Sequence, residues 1–318
     1  MESTTKIKLS RGQINEIIKK AFGDKCSEFK ELSDGWFNTA YDIAMDSGRS
    51  AILKVAPPAD VKILSYEKDI MSTEVEVMRK VTGETRVPVP KIYCYDKSFD
   101  LIGQEYYLME KLKGVPYNYI QDKIKEDKKE AIETRLGKYN RQINDIWGEK
   151  FGLYSPVHEK FDTWYDAFYY MMSVLLKDAS DIGLDIGRPY EKISDITASL
   201  KDALDEVKKP CLAHWDLWAG NVFVDDGEIT GIIDFERALW GDRLIEVFLH
   251  SGESAYFAKG YGTDIPDGPG AEARKSLYRL YLSLVMMVEA PYRNYGPEHR
   301  QWVAGNFEKA CEKVLEIV

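Results

Sequence analysis

Residues 211–236 read Cys-Leu-Ala-His-Trp-Asp-Leu-Trp-Ala-Gly-Asn-Val-Phe-Val-Asp-Asp-Gly-Glu-Ile-Thr-Gly-Ile-Ile-Asp-Phe-Glu, and they carry the strongest structural signal in the chain. Within this stretch, 222–224 and 229–233 are β-favouring runs. Between the two runs lies Asp226-Gly227, a dipeptide that favours a tight two-residue turn. The pattern therefore predicts a β-hairpin.

Asn221 and Asp234 lie on opposite sides of that turn, and the midpoint between them falls beside it. Closing the hairpin brings their side chains to within a residue or two of facing each other. A carboxylate and an amide oxygen side by side form a hard-oxygen site suited to Mg²⁺. Asp216 lies on the loop that enters the hairpin, from which it can reach a substrate hydroxyl. This is the arrangement that phosphoryl transfer requires.

The spacing His214-x-Asp216-x-x-x-x-Asn221, followed by Asp234, resembles the kinase catalytic set. His-Trp-Asp stands where a protein kinase has His-Arg-Asp, and Asp-Phe-Glu replaces Asp-Phe-Gly. This variant resembles the aminoglycoside phosphotransferase family and its choline-kinase-like relatives. The resemblance implies that Asp216 is the catalytic base and that Asn221 and Asp234 are the metal ligands. It also implies that His214 braces the catalytic loop through hydrogen bonds.

The same resemblance implies the fold and the reaction. The fold is expected to be α+β and bilobal, of the protein-kinase-like type, with a β-rich N-lobe and a mainly helical C-lobe. Residues 1–111 are expected to bind the nucleotide, and residues 112–318 to hold the catalytic loop and the acceptor site. The expected donor is ATP or GTP with Mg²⁺. The expected acceptor is a hydroxyl of a small molecule, either an aminoglycoside or another cationic metabolite, with antibiotic resistance as one consequence.

In the first lobe, the apolar strand 51–56 contains one lysine, Lys54. A lysine in such a strand is costly unless it is paired. It resembles the strand lysine of kinases, which binds the α- and β-phosphates and pairs with a helix glutamate. A helix predicted over 66–81 supplies the partner. The resemblance favours Glu74, with Glu76 as the alternative.

Two further segments of this lobe correspond to nucleotide contacts by resemblance alone. Residues 33–41 stand where a kinase folds a loop over the phosphates, although they contain a single glycine and also fit a plain hairpin turn. Their backbone amides and the side chains of Asn38 and Thr39 are candidates for phosphate contacts. The residues that follow the strand predicted over 106–110 stand where the linker of a kinase reads adenine. The resemblance therefore implies that Glu110 and Leu112 contact the base through their main chains.

Beyond residue 115 the hydrophobic pattern becomes helical. The predicted helices are 128–147, 161–177, 193–207 and 277–289. Residues 257–270 are rich in Gly, Pro and Asp and are predicted to form a surface loop. The resemblance places the acceptor site around Glu289 and 291–299. Acidic residues there can pair with ammonium groups, although solvation at the surface is the expected role of any single one.

The sequence after Phe235 separates small-molecule kinases from protein kinases. It contains no Ala-Pro-Glu and no switch loop rich in Ser and Thr, which favours a small-molecule kinase. Two alternatives stay open: an atypical protein kinase, and a kinase-like nucleotide-binding protein without turnover, since a fold alone does not imply function.

Composition sets the remaining limits. The 318 residues are 44% hydrophobic and carry a formal net charge of −10, which argues against nucleic-acid binding and agrees with a cationic substrate. No apolar run has the length of a membrane helix, and the first residues lack the apolar region of a secretory signal. The four cysteines are scattered without metal-ligand spacing. A cytoplasmic enzyme without nucleic-acid or membrane partners is expected, and the oligomeric state is left open.

Overall fold

The computed structural model describes residues 5–32, 37–252 and 254–318. The chain forms two compact units. The first consists of Met1–Lys62 and Val89–Lys113, and the second of Ile63–Pro88 and Gly114–Val318. The second unit thus includes residues 63–88, which the sequence analysis placed in the first lobe. The expected α+β character is confirmed, because the first unit is β-rich and the second is mainly helical.

One helix and a five-stranded antiparallel sheet make up the first unit. The strand order in the sheet is β1-β2-β3-β5-β4. The elements are α1 (Arg11–Phe22), β1 (Cys26–Leu32), β2 (Thr39–Met45), β3 (Ser50–Val55), β4 (Ile92–Asp96) and β5 (Tyr106–Met109). Ser10 and Gln13 form a capping box at the start of α1, which satisfies backbone groups that a helix end leaves unpaired.

The core of the first unit lies between α1 and the sheet. Ile14, Ile17 and Ile18 share one face of α1, and they belong to the same buried cluster as Leu53 of β3 and Leu108 of β5. Helical spacing on one side and strand alternation on the other therefore direct these apolar side chains to a common interior. This packing fixes β3, the strand that carries Lys54.

The second unit contains the remaining elements. In chain order they are α2 (Ile70–Glu84), β6 (Val115–Pro116), α3 (Glu126–Asn144), β7 (Gly152–Leu153), α4 (Trp164–Ser180), α5 (Tyr190–Ser199), α6 (Lys201–Leu204), β8 (Cys211–Ala213), β9 (Val222–Asp225), β10 (Glu228–Ile232), β11 (Leu239–Gly241), α7 (Val247–Ser251), α8 (Ala255–Tyr261), α9 (Pro269–Tyr292) and α10 (Pro297–Leu315). The short strands form two three-stranded sheets, β10-β9-β6 and β7-β11-β8. Within the described residues, no helix has the length and apolar character needed to cross a bilayer.

The prediction of a loop over 257–270 is wrong in its first part, because 255–261 form α8. The Ser254 side chain caps this helix by accepting the N–H of Phe257 at 3.0 Å. Phe257 and Tyr261 are buried, so tertiary packing stabilises a helix that the local composition does not favour. The helix predicted over 193–207 is likewise divided, into α5 and α6.

Glycines set how closely α8 approaches α3. A Cβ at Gly260 would collide with the backbone carbonyl oxygen of Thr134, and one at Gly137 would collide with the carbonyl oxygen of Phe257. Glycine at both positions is therefore what allows the two backbones to pack directly together. Through this contact α8 supports α3, whose last turn contacts β8.

Candidate active site

The predicted hairpin is present and organises the site. β9 and β10 pair antiparallel with Asp225 opposite Glu228, and Asp226 and Gly227 form the turn with φ of 43° and 82°. Positive φ at both central residues is the geometry that favours Asp-Gly in a two-residue hairpin turn. At the open end of the hairpin, the N–H of Ile233 donates to the carbonyl oxygen of Asn221 at 3.0 Å. The two strands thus bring Asn221 next to the residue that precedes Asp234.

Asp216 lies on the loop between β8 and β9, with its side chain 22% exposed. The Asn221 amide nitrogen donates to the Asp216 carbonyl oxygen at 2.9 Å and lies 3.4 Å from its carboxylate Oδ2. Burial raises the pKa of the Asp216 carboxyl. The charge of Arg237 opposes that rise, with its Nη1 4.0 Å from Asp216 Oδ1. A carboxylate held by Asn221 and Arg237 is suited to orient an attacking hydroxyl.

His214 makes the contacts of a brace. Its Nε2 lies 2.9 Å from the carbonyl oxygen of Ile233, and its Nδ1 accepts the backbone N–H of Asp216 at 3.2 Å. These contacts assign the neutral tautomer with the proton on Nε2, because Nδ1 acts as an acceptor. The buried ring therefore ties the loop between β8 and β9 to the end of β10. The role of His214 as a brace in catalysis stays a prediction.

Glu246 is a second brace of the loop, and sequence reasoning missed it. It is fully buried, and its carboxylate accepts the backbone N–H groups of His214 at 2.8 Å and Trp215 at 3.1 Å. It also accepts the side-chain amides of Asn140 at 2.9 Å and Asn144 at 3.1 Å, both on α3. Four donors on one carboxylate offset the cost of burying its charge.

Asn144, in the last turn of α3, makes contacts with several elements around the loop. Its amide nitrogen donates to the carbonyl oxygen of Leu212 at 2.8 Å as well as to Glu246. Its amide oxygen accepts the hydroxyl of Tyr261 on α8 at 2.7 Å. The residue therefore links two helices to β8, which leads directly into the catalytic loop.

Three carboxylates meet at the end of the hairpin. One oxygen from each of Glu74, Asp234 and Glu236 lies within 4.8 Å of the other two. Like charges at this distance are unfavourable unless a cation lies among them. Carboxylate oxygens are the ligands that Mg²⁺ prefers, so the donor set fits such an ion. Asp234 adopts a φ of 69°, a left-handed conformation that is uncommon for residues other than glycine.

The same cluster bears on the choice of helix glutamate. Glu74 lies on α2 and is fully buried beside Asp234, whereas Glu76 is exposed. Glu67 precedes α2 and is occupied by an ion pair with Arg293. The position of Glu74 thus agrees with its predicted role better than that of Glu76. Its pairing with Lys54 stays a prediction, because Lys54 belongs to the other unit.

In the first unit, Lys54 is 9% exposed on β3, with its ammonium 6.0 Å from the ring centroid of Tyr107. Thr39 is buried, and its hydroxyl accepts the N–H of Ile7 at 2.8 Å. The Asn38 carbonyl oxygen accepts the Lys6 ammonium at 2.7 Å. These contacts tie the start of β2 to the N-terminal segment, and the phosphate contacts of Asn38 and Thr39 stay predictions.

Two other predicted nucleotide contacts, those of Glu110 and Leu112, involve residues just after β5. The backbone N–H of Glu110 donates to the carbonyl oxygen of Lys91 at 2.9 Å, and Glu110 and Leu112 are the first and third residues after β5. Their main-chain contacts to a base stay predictions. Residues 33–36 of the loop predicted to cover the phosphates lie outside the described residues.

Glu289 does not have the exposed role expected for it. It is buried on α9, and its carboxylate accepts Arg237 Nη2 at 2.6 Å and the hydroxyl of Tyr66, with Arg293 Nη2 at 3.4 Å. Burial acts to raise the pKa of Glu289, but the charges of Arg237 and Arg293 outweigh it and hold the pKa below its ordinary value. Arg237 lies 52 residues and Tyr66 lies 223 residues from Glu289 in the chain, so no local sequence signal could have shown these two contacts.

The second unit thus places an aspartate beside an asparagine, and an acidic cluster at the end of the same hairpin, an arrangement that phosphoryl transfer requires. The chain belongs to the phosphotransferase enzyme family, which it matches over residues 28–282. The resemblance inferred from residues 211–236 is thereby confirmed.

Curated relatives cover only part of the chain. A probable ketoamine kinase of Staphylococcus aureus is 32% identical over 142 residues, which are 43% of this chain and 44% of that protein. A chloroplastic protein-ribulosamine 3-kinase of Oryza sativa subsp. indica is 38% identical over 78 residues, 24% of this chain and 22% of that protein. The matched regions thus span less than half the length of these relatives.

Solved structures match nearly the whole chain. A putative aminoglycoside phosphotransferase from Ralstonia eutropha superposes with a TM-score of 0.68 at 11% identity, covering 98% of each chain. A putative fructosamine-3-kinase from Thermobifida fusca gives 0.67 at 18% identity, covering 94% of this chain and 98% of that one. An aminoglycoside phosphotransferase in complex with ADP and hygromycin B gives 0.65 at 18% identity, covering 95% and 98%. At these identities the likeness concerns the fold, and it confirms the protein-kinase-like prediction.

Proposed function

We propose that the protein transfers the γ-phosphoryl group of ATP or GTP to a hydroxyl of a small molecule. The observation that carries this proposal is the position of Asp216 beside Asn221, at the end of the hairpin where Glu74, Asp234 and Glu236 meet. Phosphoryl transfer needs little covalent chemistry from the protein, so catalysis consists of positioning and electrostatic stabilisation. The buried, braced loop supplies the first of these.

Each candidate site residue of the second unit has a distinct task in this proposal. Asp216 orients the acceptor hydroxyl and accepts its proton. Asn221 and Asp234 are the proposed ligands of Mg²⁺, which, when bound, neutralises charge on the phosphates. His214 and Glu246 hold the loop so that Asp216 needs no rearrangement when substrate arrives.

The nucleotide contacts are proposed for the first unit. Lys54 is the candidate for the α- and β-phosphates, and its burial on a strand supports a role that requires a partner. Glu74 is its proposed partner. The remaining candidates for contacts to phosphate or base are Asn38, Thr39, Glu110 and Leu112.

A polyhydroxylated amine is the acceptor class best supported. The relatives' names point to ketoamines and ribulosamines, and a neighbouring structure contains an aminoglycoside. These compounds share hydroxyls on a sugar-like ring and a nearby amine. Glu289 does not bind that amine in this proposal, because two arginines already neutralise it.

Aromatic side chains near the start of α10 can receive such a ring. Tyr295 and His299 have ring centroids 4.6 Å apart, and His299 and Trp302 have centroids 5.6 Å apart. Trp302 is exposed although it is large and apolar. Two partly buried rings that lead to an exposed tryptophan offer a flat apolar surface with polar edges, which suits a sugar ring.

The test is to incubate the protein with Mg·ATP or Mg·GTP and separate panels of aminoglycosides, ketoamines, amino alcohols, sugars and generic protein substrates. Acceptor-dependent release of nucleoside diphosphate, with a phosphate ester found on the acceptor by mass spectrometry, supports the proposal. Phosphorylation of protein substrates alone would favour the atypical protein kinase. Nucleotide binding without phosphorylation of any acceptor would favour a binding protein without turnover.

A further inference from the structure

Arg237 follows the Asp-Phe-Glu segment and is a largely buried arginine beside the candidate base. Its side chain is 11% exposed at the end of a short 3-10 turn, Phe235–Arg237. One guanidinium nitrogen, Nη2, donates to Glu289 Oε1 at 2.6 Å, and the other, Nη1, lies 4.0 Å from Asp216 Oδ1. The planar guanidinium thus faces two carboxylates from different parts of the chain, a task for which arginine is better suited than lysine.

Aromatic rings confine this guanidinium on its other sides. Its central carbon lies 5.7 Å from the ring centroid of Tyr66 and 5.9 Å from that of Trp215. The two rings are themselves 6.0 Å apart in an edge-on arrangement. Cation–π contacts within about 6 Å are attractive, so the rings favour one orientation of Arg237. Trp215 is also the residue that precedes Asp216, which couples this packing to the catalytic loop.

Glu289 anchors the arginine from α9 and is itself held in place. It accepts the Tyr66 hydroxyl and lies 3.4 Å from Arg293, which forms an ion pair with the buried Glu67. A series of contacts therefore runs from Glu289 on α9 through Arg237 to Oδ1 of Asp216. Asn221 faces Oδ2 and Arg237 faces Oδ1, so each carboxylate oxygen has its own neighbour.

We infer that Arg237 is a positioning residue that fixes the orientation of the Asp216 carboxylate for phosphoryl transfer. The inference rests on the proposed function, since it assigns a partner to the proposed base. Without Arg237, Asp216 keeps its backbone position, set by His214, but its side chain gains freedom to rotate. A displacement of a reacting group by about 1 Å can lower turnover about 100-fold. The nucleotide contacts proposed for the first unit do not involve Arg237.

The Arg237–Glu289 pair could instead serve only to stabilise the fold. A double variant distinguishes this structural role from the positioning of Asp216. In the Arg237→Met variant, Glu289 stays buried but has one basic neighbour fewer. The melting temperature of this variant should therefore fall by roughly 5 °C or more. Arg237→Met/Glu289→Met replaces both charges by apolar side chains, which is often neutral for stability. The melting temperature of the double variant should therefore return toward that of the wild type.

The measurement is kcat and the KM for nucleotide, with the acceptor that the wild type phosphorylates, together with the melting temperature of each variant. We expect kcat to stay about 10- to 100-fold below wild type in both variants, with the nucleotide KM unchanged. Arg237→Lys should recover part of kcat, because it restores a positive charge near Oδ1. Recovery of wild-type kcat in the double variant, along with its stability, would overturn the inference alone. Absence of turnover in the wild type would overturn the proposed function and the inference with it.

Discussion

Replacing Glu246 by glutamine tests whether one buried carboxylate holds the catalytic loop. Glutamine has almost the same shape but presents an NH₂ group in place of one oxygen. Oε1 accepts His214, Asn140 and Asn144, and Oε2 accepts Trp215, so in every orientation of the amide a donor faces a donor. Losing a charge-assisted hydrogen bond costs about 1.5–3 kcal/mol, and an unsatisfied buried group costs about 1–3 kcal/mol more.

The free energy of unfolding of Glu246→Gln should therefore fall by about 3–5 kcal/mol, which corresponds to a melting temperature roughly 10 °C lower. Thermal and urea unfolding of the whole chain measure the change. Glu312→Gln, on the exposed side of α10, is the matched control and should shift the melting temperature by less than about 2 °C. If the two variants melt together, Glu246 is not the brace described. Turnover of Glu246→Gln should also fall, because in either orientation of the amide one of the backbone N–H groups of His214 and Trp215 loses its acceptor.

Two further predictions concern packing and pH. Gly260→Ala should lower the free energy of unfolding by about 1–3 kcal/mol or more, because its methyl group meets the Thr134 carbonyl oxygen, whereas Gly305→Ala, with open space on α10, should raise it by about 0.5–1 kcal/mol in the same urea titration. Burial and the charge of Arg279 lower the pKa of His250 from 6.5 to about 3. Below pH 6.5 the unfolded chain therefore binds a proton that the folded chain does not. As the pH is lowered from 6 to 4, the free energy of unfolding should decrease by up to about 1.4 kcal/mol per pH unit. His250→Leu should lose that part of the slope, and equal slopes in both proteins would contradict the assignment.

Local signals allowed the sequence to predict the centre of the site. The Asp-Gly turn between two β-favouring runs specifies a hairpin from neighbouring residues alone, and the hairpin in turn brings Asn221 close to Asp234. Apolar spacing likewise located α3 and α4 to within a few residues of their observed ends.

Long-range contacts were beyond the sequence. Glu246 lies 32 residues from His214 and Glu289 lies 52 residues from Arg237, and nothing in their immediate surroundings distinguishes them from exposed carboxylates. The helix α8 was missed for a related reason. Its stability comes from burying Phe257 and Tyr261 against other elements, while its composition alone is typical of a loop.

The most direct test of the account compares wild type, Asp216→Ala and Asp225→Ala in phosphoryl transfer to the acceptor found by the panels. Asp225 is an exposed aspartate of the same hairpin and serves as the control. Turnover is followed by the phosphate ester formed, and nucleotide affinity by calorimetry. The account predicts that Asp216→Ala binds nucleotide as the wild type does but turns over about 10²- to 10⁴-fold more slowly, while Asp225→Ala is unchanged. Turnover of Asp216→Ala within about tenfold of the wild type would contradict the role of Asp216 as the base.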